Sequence, residues 1–208
     1  MSSDGVLSAK RSRRNTLARL LDAANDVFAE RGFQAATIED VCEAAGFTRG
    51  AFYSNFTSLD ELFLALWDRQ AQRIVDGLRA LVAELADDAN PGERAAAVLA
   101  EFQPYDRRWF LINTEFLLYA LRHPGAAEAL ARHRRWLREE MAKVFDLLPD
   151  IEARRRPSGI DRDEHIRLVI AVFEGCQAQT LIEPEAAANG QLQRSLVRLV
   201  IGELPPTI

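Results

Sequence analysis

Thr48, Arg49, Tyr53, Ser54 and Asn55 fall within eight residues, separated only by Gly50, Ala51 and Phe52. Their side chains offer hydroxyl, amide and guanidinium donors, so their chemistry is recognition by hydrogen bonding. Arg49 can reach a guanine edge or a phosphate. Tyr53 and Asn55 can donate to phosphates and set register, with Ser54 beside them. Gly50 and Ala51 are small enough to let a helix approach bases closely. Thr37 and Thr48, placed where helices begin, can hold phosphate through hydroxyl and backbone N–H groups. No nucleophile elbow, Walker loop, zinc-protease motif or dinucleotide glycine pattern occurs, so the chain is not expected to be an enzyme. His123, His133 and His165 lack metal-ligand spacing, and Cys42 and Cys176 read as buried small hydrophobes. Neither a metal nor a cofactor is expected.

These residues need elements to position them. Leu17, Leu20, Leu21, Ala24, Val27 and Phe28 repeat at spacings of three and four, which predicts a helix ended by Gly32. A short second helix carries Ile38, Val41, Cys42 and Ala45 on one face, with Thr37 as its cap and Glu39 and Asp40 in its first turn. Gly46–Phe47 breaks the pattern, and a third helix runs from its cap at Thr48 to about Asn55. The arrangement is a helix-turn-helix, with Phe52 and Phe56 facing inward toward Phe28 and Val41. That leaves Thr48, Arg49, Ala51, Tyr53, Ser54 and Asn55 outward. Ser58–Leu59–Asp60–Glu61 reads as a capping box opening a fourth helix to about Asp87. Further helices are predicted over about 93–102, 105–121, 126–148, 162–182 and 191–202. Breaks fall at Asn90–Pro91–Gly92, Gln103–Pro104, Arg122–Gly125, the loop Pro149–Ile160 and Glu183–Gly190. The reading is all-α, with about nine helices and no strand alternation.

Charge separates the two ends of the chain. Lys10, Arg11, Arg13, Arg14 and Arg19 put five cations in ten residues without an acid. Residues 1–56 hold seven cations and seven acids, while residues 57–208 hold 19 and 24, which accounts for the net −5. A basic arm on a neutral module fits a local DNA contact through residues such as Arg13 and Arg14. The longest stretch without a charged residue is the ten residues Gly50–Leu59, well short of the roughly 20 needed to span a membrane. With no apolar signal core in Met1–Ala9, a cytoplasmic location is expected.

The stretch TIEDVCEAAGFTRGAFYSNFTSLDEL, Thr37 to Leu62, resembles the DNA-binding domain of TetR-family transcriptional regulators. The likeness extends back through RLLDAANDVFAERGF to about Arg13. It implies an N-terminal helix-turn-helix domain over 1–57, a three-helix head, and a six-helix ligand-binding and dimerisation body over 58–208. The family usually has Lys where Leu59 stands, a cation that contacts the DNA backbone. The segment Arg107–Pro124 also resembles family members.

The resemblance further implies a homodimer formed through the last two long helices. The residues offer Ile166, Val169 and Ile170 on one stripe, and Leu192, Leu196, Leu199 and Val200 on another; packing within one subunit is the alternative for both. An effector pocket is implied between the fourth helix and those after it, with Trp67, Trp109, Phe110, Asn113, Phe116, Phe173 and Gln177 as candidate lining and ordinary core as the alternative. The expected partners are a near-palindromic double-stranded operator, a small, largely apolar effector and a second copy of the chain. The expected function is a repressor released by its effector; the alternative is a regulator whose body only dimerises.

Overall fold

Apolar spacings of three and four become helices wherever the chain is described, which in the computed structural model is residues 3–85, 107–147 and 160–185, with 192 and 195. The helices are α1 (Ser3–Arg31), α2 (Ile38–Ala45), α3 (Arg49–Tyr53), α4 (Leu59–Leu85), α5 (Arg107–Ala120), α6 (Pro124–Phe145) and α7 (Arg162–Ile182). Among the described residues there is no strand. The helix expected at 93–102 lies outside the described residues, as does nearly all of the one at 191–202. No described helix is long and apolar enough to cross a membrane.

The chain divides into two packed units. The first comprises Met1–Arg69 and Arg108–Ala131, the second Gln70–Arg107 and Arg132–Ile208. The division expected after residue 57 separates DNA-contacting from sensing segments; the packing divides elsewhere, because α5 shares a core with α1–α3.

That first core is built from rings. Phe28, Phe52, Phe63 and Phe116 are almost wholly buried, with Leu20, Val41, Leu62 and Ile112. Phe63 of α4 stacks on Phe116 of α5 with centroids 3.7 Å apart. Phe33, in the α1–α2 turn, meets Phe28 at 5.3 Å, Phe116 edge-on at 4.8 Å and Tyr119 at 5.1 Å. Ring pairs of this kind add roughly 0.5–1.5 kcal/mol each beyond area burial. Polar ties surround the rings: Arg69 pairs with Asp22 at 2.7 Å and Arg108 with Asp26 at 2.9 Å. The Tyr119 hydroxyl donates to Asp60 at 3.2 Å, and desolvation, followed by the Asp60 charge, pushes its pKa up.

In the second unit Val75, Leu81, Leu137, Met141, Val144, Ile166 and Cys176 are buried. Arg79 pairs with Glu140 at 2.6 Å, Arg134 with Glu174 at 3.0 Å and Arg138 with Asp163 at 2.8 Å. Asp161 caps α7 by accepting from the Glu164 N–H at 2.9 Å. Arg162 donates to the Ala142 carbonyl, satisfying the C-terminal end of α6.

Three local expectations change. Pro124, expected within a break, is the first residue of α6; its fixed φ suits the first helical turn, where its missing N–H costs nothing. The α4 capping box is displaced by one residue. Ser58 accepts from the Glu61 N–H at 3.1 Å, but the Glu61 carboxylate takes both N–H and hydroxyl of Thr57, each at 2.7 Å. The third helix ends at Tyr53, with Ser54 as its C-cap.

Candidate nucleic-acid interface

The outward face of α3 depends on how α2 begins and ends. Thr37 has extended backbone (φ −119°, ψ 161°) and caps α2, accepting from the Asp40 N–H at 3.2 Å. Asp40 returns the bond, accepting from the Thr37 N–H at 3.0 Å and hydroxyl at 2.8 Å. These bonds from Thr37, with a lesser pull from Arg31, hold the Asp40 carboxyl below its ordinary pKa. Arg31 closes the link to α1, 2.8 Å from Asp40. The Thr37 groups expected to meet phosphate are therefore engaged in the cap of their own helix.

At the other end of α2, Gly46 adopts left-handed backbone (φ 66°, ψ 38°). Its N–H donates to Glu43 O at 3.1 Å and the Phe47 N–H donates to Cys42 O at 2.9 Å, the paired bonds that close a helix on a left-handed residue. Arg19 completes the turn. Its guanidinium donates to the Ala45 carbonyl at 2.7 Å and lies over the Phe47 ring, 4.6 Å from the centroid. Counted in sequence with the basic arm, Arg19 instead clamps the turn.

Thr48 caps α3, accepting from the Ala51 N–H at 3.3 Å. Phe52 and Phe56 are buried as expected and lie 5.8 Å apart, which anchors the inner face. Thr48, Arg49, Gly50, Tyr53 and Ser54 are exposed, while Ala51 and Asn55 are half-buried. Nothing lies nearer than 3.7 Å to a Cβ placed on Gly50, so this surface is open. The Ser54 hydroxyl donates to Gly50 O at 2.8 Å and the Asn55 amide to Ala51 O at 2.9 Å; each is oriented by its own helix. Arg13 and Arg14 are exposed on α1, and Leu59 is half-buried at the start of α4.

The sequence pattern described as "Bacterial regulatory proteins, tetR family" matches residues 20–66, from within α1 through α2 and α3 into α4. The transcriptional regulator CymR of Pseudomonas putida is 31% identical over 184 residues, 88% of each chain. The chain belongs to the TetR family. The transcriptional repressor KstR2 of Mycobacterium tuberculosis is 34% identical over 102 residues, and the match spans about half of either protein, 48% of each. Among solved structures, FadR of Bacillus subtilis in complex with stearoyl-CoA shares the fold, with a TM-score of 0.64, 14% identity and coverage of 90% and 98%.

Two side chains central to this TetR-family head escaped the sequence reading. Glu39 of α2 lies 2.5 Å from Arg49 across the turn. Glu115 of α5 accepts from the Phe33 N–H at 2.7 Å. An acid in the first turn of α2 was visible, but its partner was not. Glu115 gave no signal, because its partner is a backbone group 82 residues away.

The other expected sites fall in separate places. Trp67, Trp109 and Phe116 are buried in the first unit, where Phe110 and Asn113 are half-buried. Phe173 and Gln177 are half-buried on α7 in the second unit. Ile166, expected at a dimer interface, is 2% exposed in the single chain and so is already covered by its own subunit. Val169, Ile170 and Leu192 are half-buried; Leu196, Leu199 and Val200 lie outside the described residues. The large apolar side chains that α7 leaves exposed are Leu168, Val172 and Ile182, with Gly175 also exposed between them. Glu174 is the only charge between positions 168 and 182, so this stretch of α7 is apolar on most sides and its periodicity does not single out one stripe.

Proposed function

We propose that this chain is a homodimeric, sequence-specific DNA-binding transcriptional regulator, a repressor released from a near-palindromic operator by a small, largely apolar effector. The observation that carries the reading is the open outer face of α3. Phe52 and Phe56 lock its inner side and the Gly46 turn fixes its angle to α2, while Arg49, Gly50, Tyr53 and Ser54 stand outward. A helix so held fits the major groove, with Arg49 reading a base edge and Tyr53 and Asn55 setting register on phosphates. Arg13 and Arg14 add backbone attraction. Leu59 offers no cation, so backbone affinity rests more heavily on that arm.

Dimerisation uses the outer face of α7, where Leu168, Val172 and Ile182 repeat at helical spacing and Gly175 permits close approach. Two heads then enter successive major grooves about 34–36 Å apart. The effector contacts the half-buried Phe110 and Asn113 of α5, and binding is transmitted because α5 grips the α1–α2 turn through Glu115. FadR of Bacillus subtilis, which shares the fold, holds stearoyl-CoA, a ligand with a long apolar acyl chain on a polar, charged carrier. The 3.7 Å stack of Phe63 on Phe116 favours a second reading for that ring, in which it is core and the body only dimerises.

The test is binding to duplex DNA enriched from a randomised pool. Arg49→Ala should weaken the enriched duplex by ~1–3 kcal/mol and relax preference at one position of each half-site. An equal loss on every duplex would reduce Arg49 to a phosphate contact.

A further inference from the structure

Arg49 is held from two sides by groups of its own chain. Its Nη1 lies 2.5 Å from the Glu39 carboxylate of α2, and its Nη2 donates to the Tyr53 hydroxyl one turn along α3, at 3.2 Å. Its guanidinium carbon also sits 5.8 Å from the Tyr53 ring centroid. All three groups are exposed, so they stand on the face that would meet a groove. A lone exposed ion pair constrains little. Here a carboxylate on one helix and a hydroxyl on the other hold different nitrogens of one rigid fork, which fixes the plane of the guanidinium.

We propose that Glu39 is a specificity-determining positioning residue, which with Tyr53 orients the Arg49 guanidinium for reading a base edge. The inference rests on the DNA-binding reading and adds to it a residue that itself donates nothing to DNA. Two physical effects follow. A guanidinium already fixed in the reading orientation loses less freedom when it engages a base, so the matched site gains. Glu39 also brings a negative charge to a phosphate-facing surface, and at this exposure its pair with Arg49 offsets that charge only in part. At an unmatched sequence the oriented fork finds no partner and the acid is a net cost. Glu39 therefore raises affinity for the matched site and lowers it for all others.

The experiment measures binding of the full chain by fluorescence anisotropy to a duplex enriched by the wild-type protein and to a shuffled duplex of equal composition. Glu39→Ala is expected to weaken the enriched duplex about two- to tenfold and to strengthen the shuffled one by roughly twofold. Glu39→Gln keeps an acceptor for Arg49 and should retain more of the preference than Glu39→Ala. In an Arg49→Ala background nothing is left to orient, and Glu39→Ala should then strengthen both duplexes. That reversal of sign separates orientation from its rivals. If Glu39→Ala strengthens both duplexes in both backgrounds, Glu39 only repels DNA and the proposal fails. If it weakens both duplexes in both backgrounds, its role is structural and the proposal also fails. If the wild-type chain enriches no sequence, the DNA-binding reading falls and takes this one with it; enrichment followed by either uniform pattern overturns this one alone.

Discussion

Two glycines, Gly32 and Gly46, turn the chain before and after α2, both with left-handed backbone, at φ 81° and 66°. Each turn is gripped by an ionised side chain from another element, and the two charges are opposite. At the first, Glu115 of α5 accepts from the Phe33 N–H. At the second, Arg19 of α1 donates to the Ala45 carbonyl and covers Phe47. The signs follow from the backbone groups to be satisfied, since an amide N–H calls for an anion and a helix-end carbonyl for a cation. The reach differs as well, spanning 82 residues at the first turn and 26 at the second. The first turn therefore seats the head helices against α5, while the second, wholly within α1–α3, sets the angle at which α3 is presented.

The largest expected effect falls on the first turn. Gly32→Ala forces a left-handed alanine and places its Cβ 2.6 Å from the Glu115 carboxylate oxygen that holds Phe33. The combined cost should be about 2–4 kcal/mol in urea denaturation. At the second turn a Cβ would meet the Arg19 guanidinium at 3.2 Å, a milder approach, so Gly46→Ala should cost about 1–2 kcal/mol. Equal costs would dissolve the distinction between the two turns.

Arg19 sharpens the comparison from within the basic arm. Arg19→Ala should lose about 1 kcal/mol of stability and weaken DNA binding without changing its salt dependence. Arg13→Ala should leave stability within roughly 0.5 kcal/mol and reduce the salt slope by about one. The same slope change for both would return Arg19 to the set of phosphate contacts.

The entry to α2 was largely legible in the sequence, and so was the α2–α3 turn. Thr37, Gly46 and Thr48 are local signals whose partners lie within four residues, and Phe52 and Phe56 follow helical period. The ties that use distant partners were not legible. Glu115, Arg19 and Glu39 are ordinary surface residue types, and only the folded chain brings them to Phe33, Ala45 and Arg49. Which face of α7 its own subunit covers was not legible for a related reason: a helix apolar on most sides has no single preferred face, and burial of Ile166 was decided by what packs on it.

The smallest expected effect is on acid stability. The folded-state pKa of Asp40 lies below the ordinary 3.8, chiefly through its bonds from Thr37. Its contribution is therefore present above 3.8 and is lost as pH falls through the lower, folded value. Asp40→Asn should flatten the stability profile in that acid range and leave the slope near neutrality unchanged, as read by thermal melts across pH.

The central claim is that α3, so held, reads sequence. The most direct measurement is the affinity of the wild-type chain for an enriched duplex against a shuffled one, across a salt series. The account predicts preference of about 10³-fold or more, with affinity for both duplexes falling linearly in log salt. Equal affinity for the two duplexes down to low salt would contradict it.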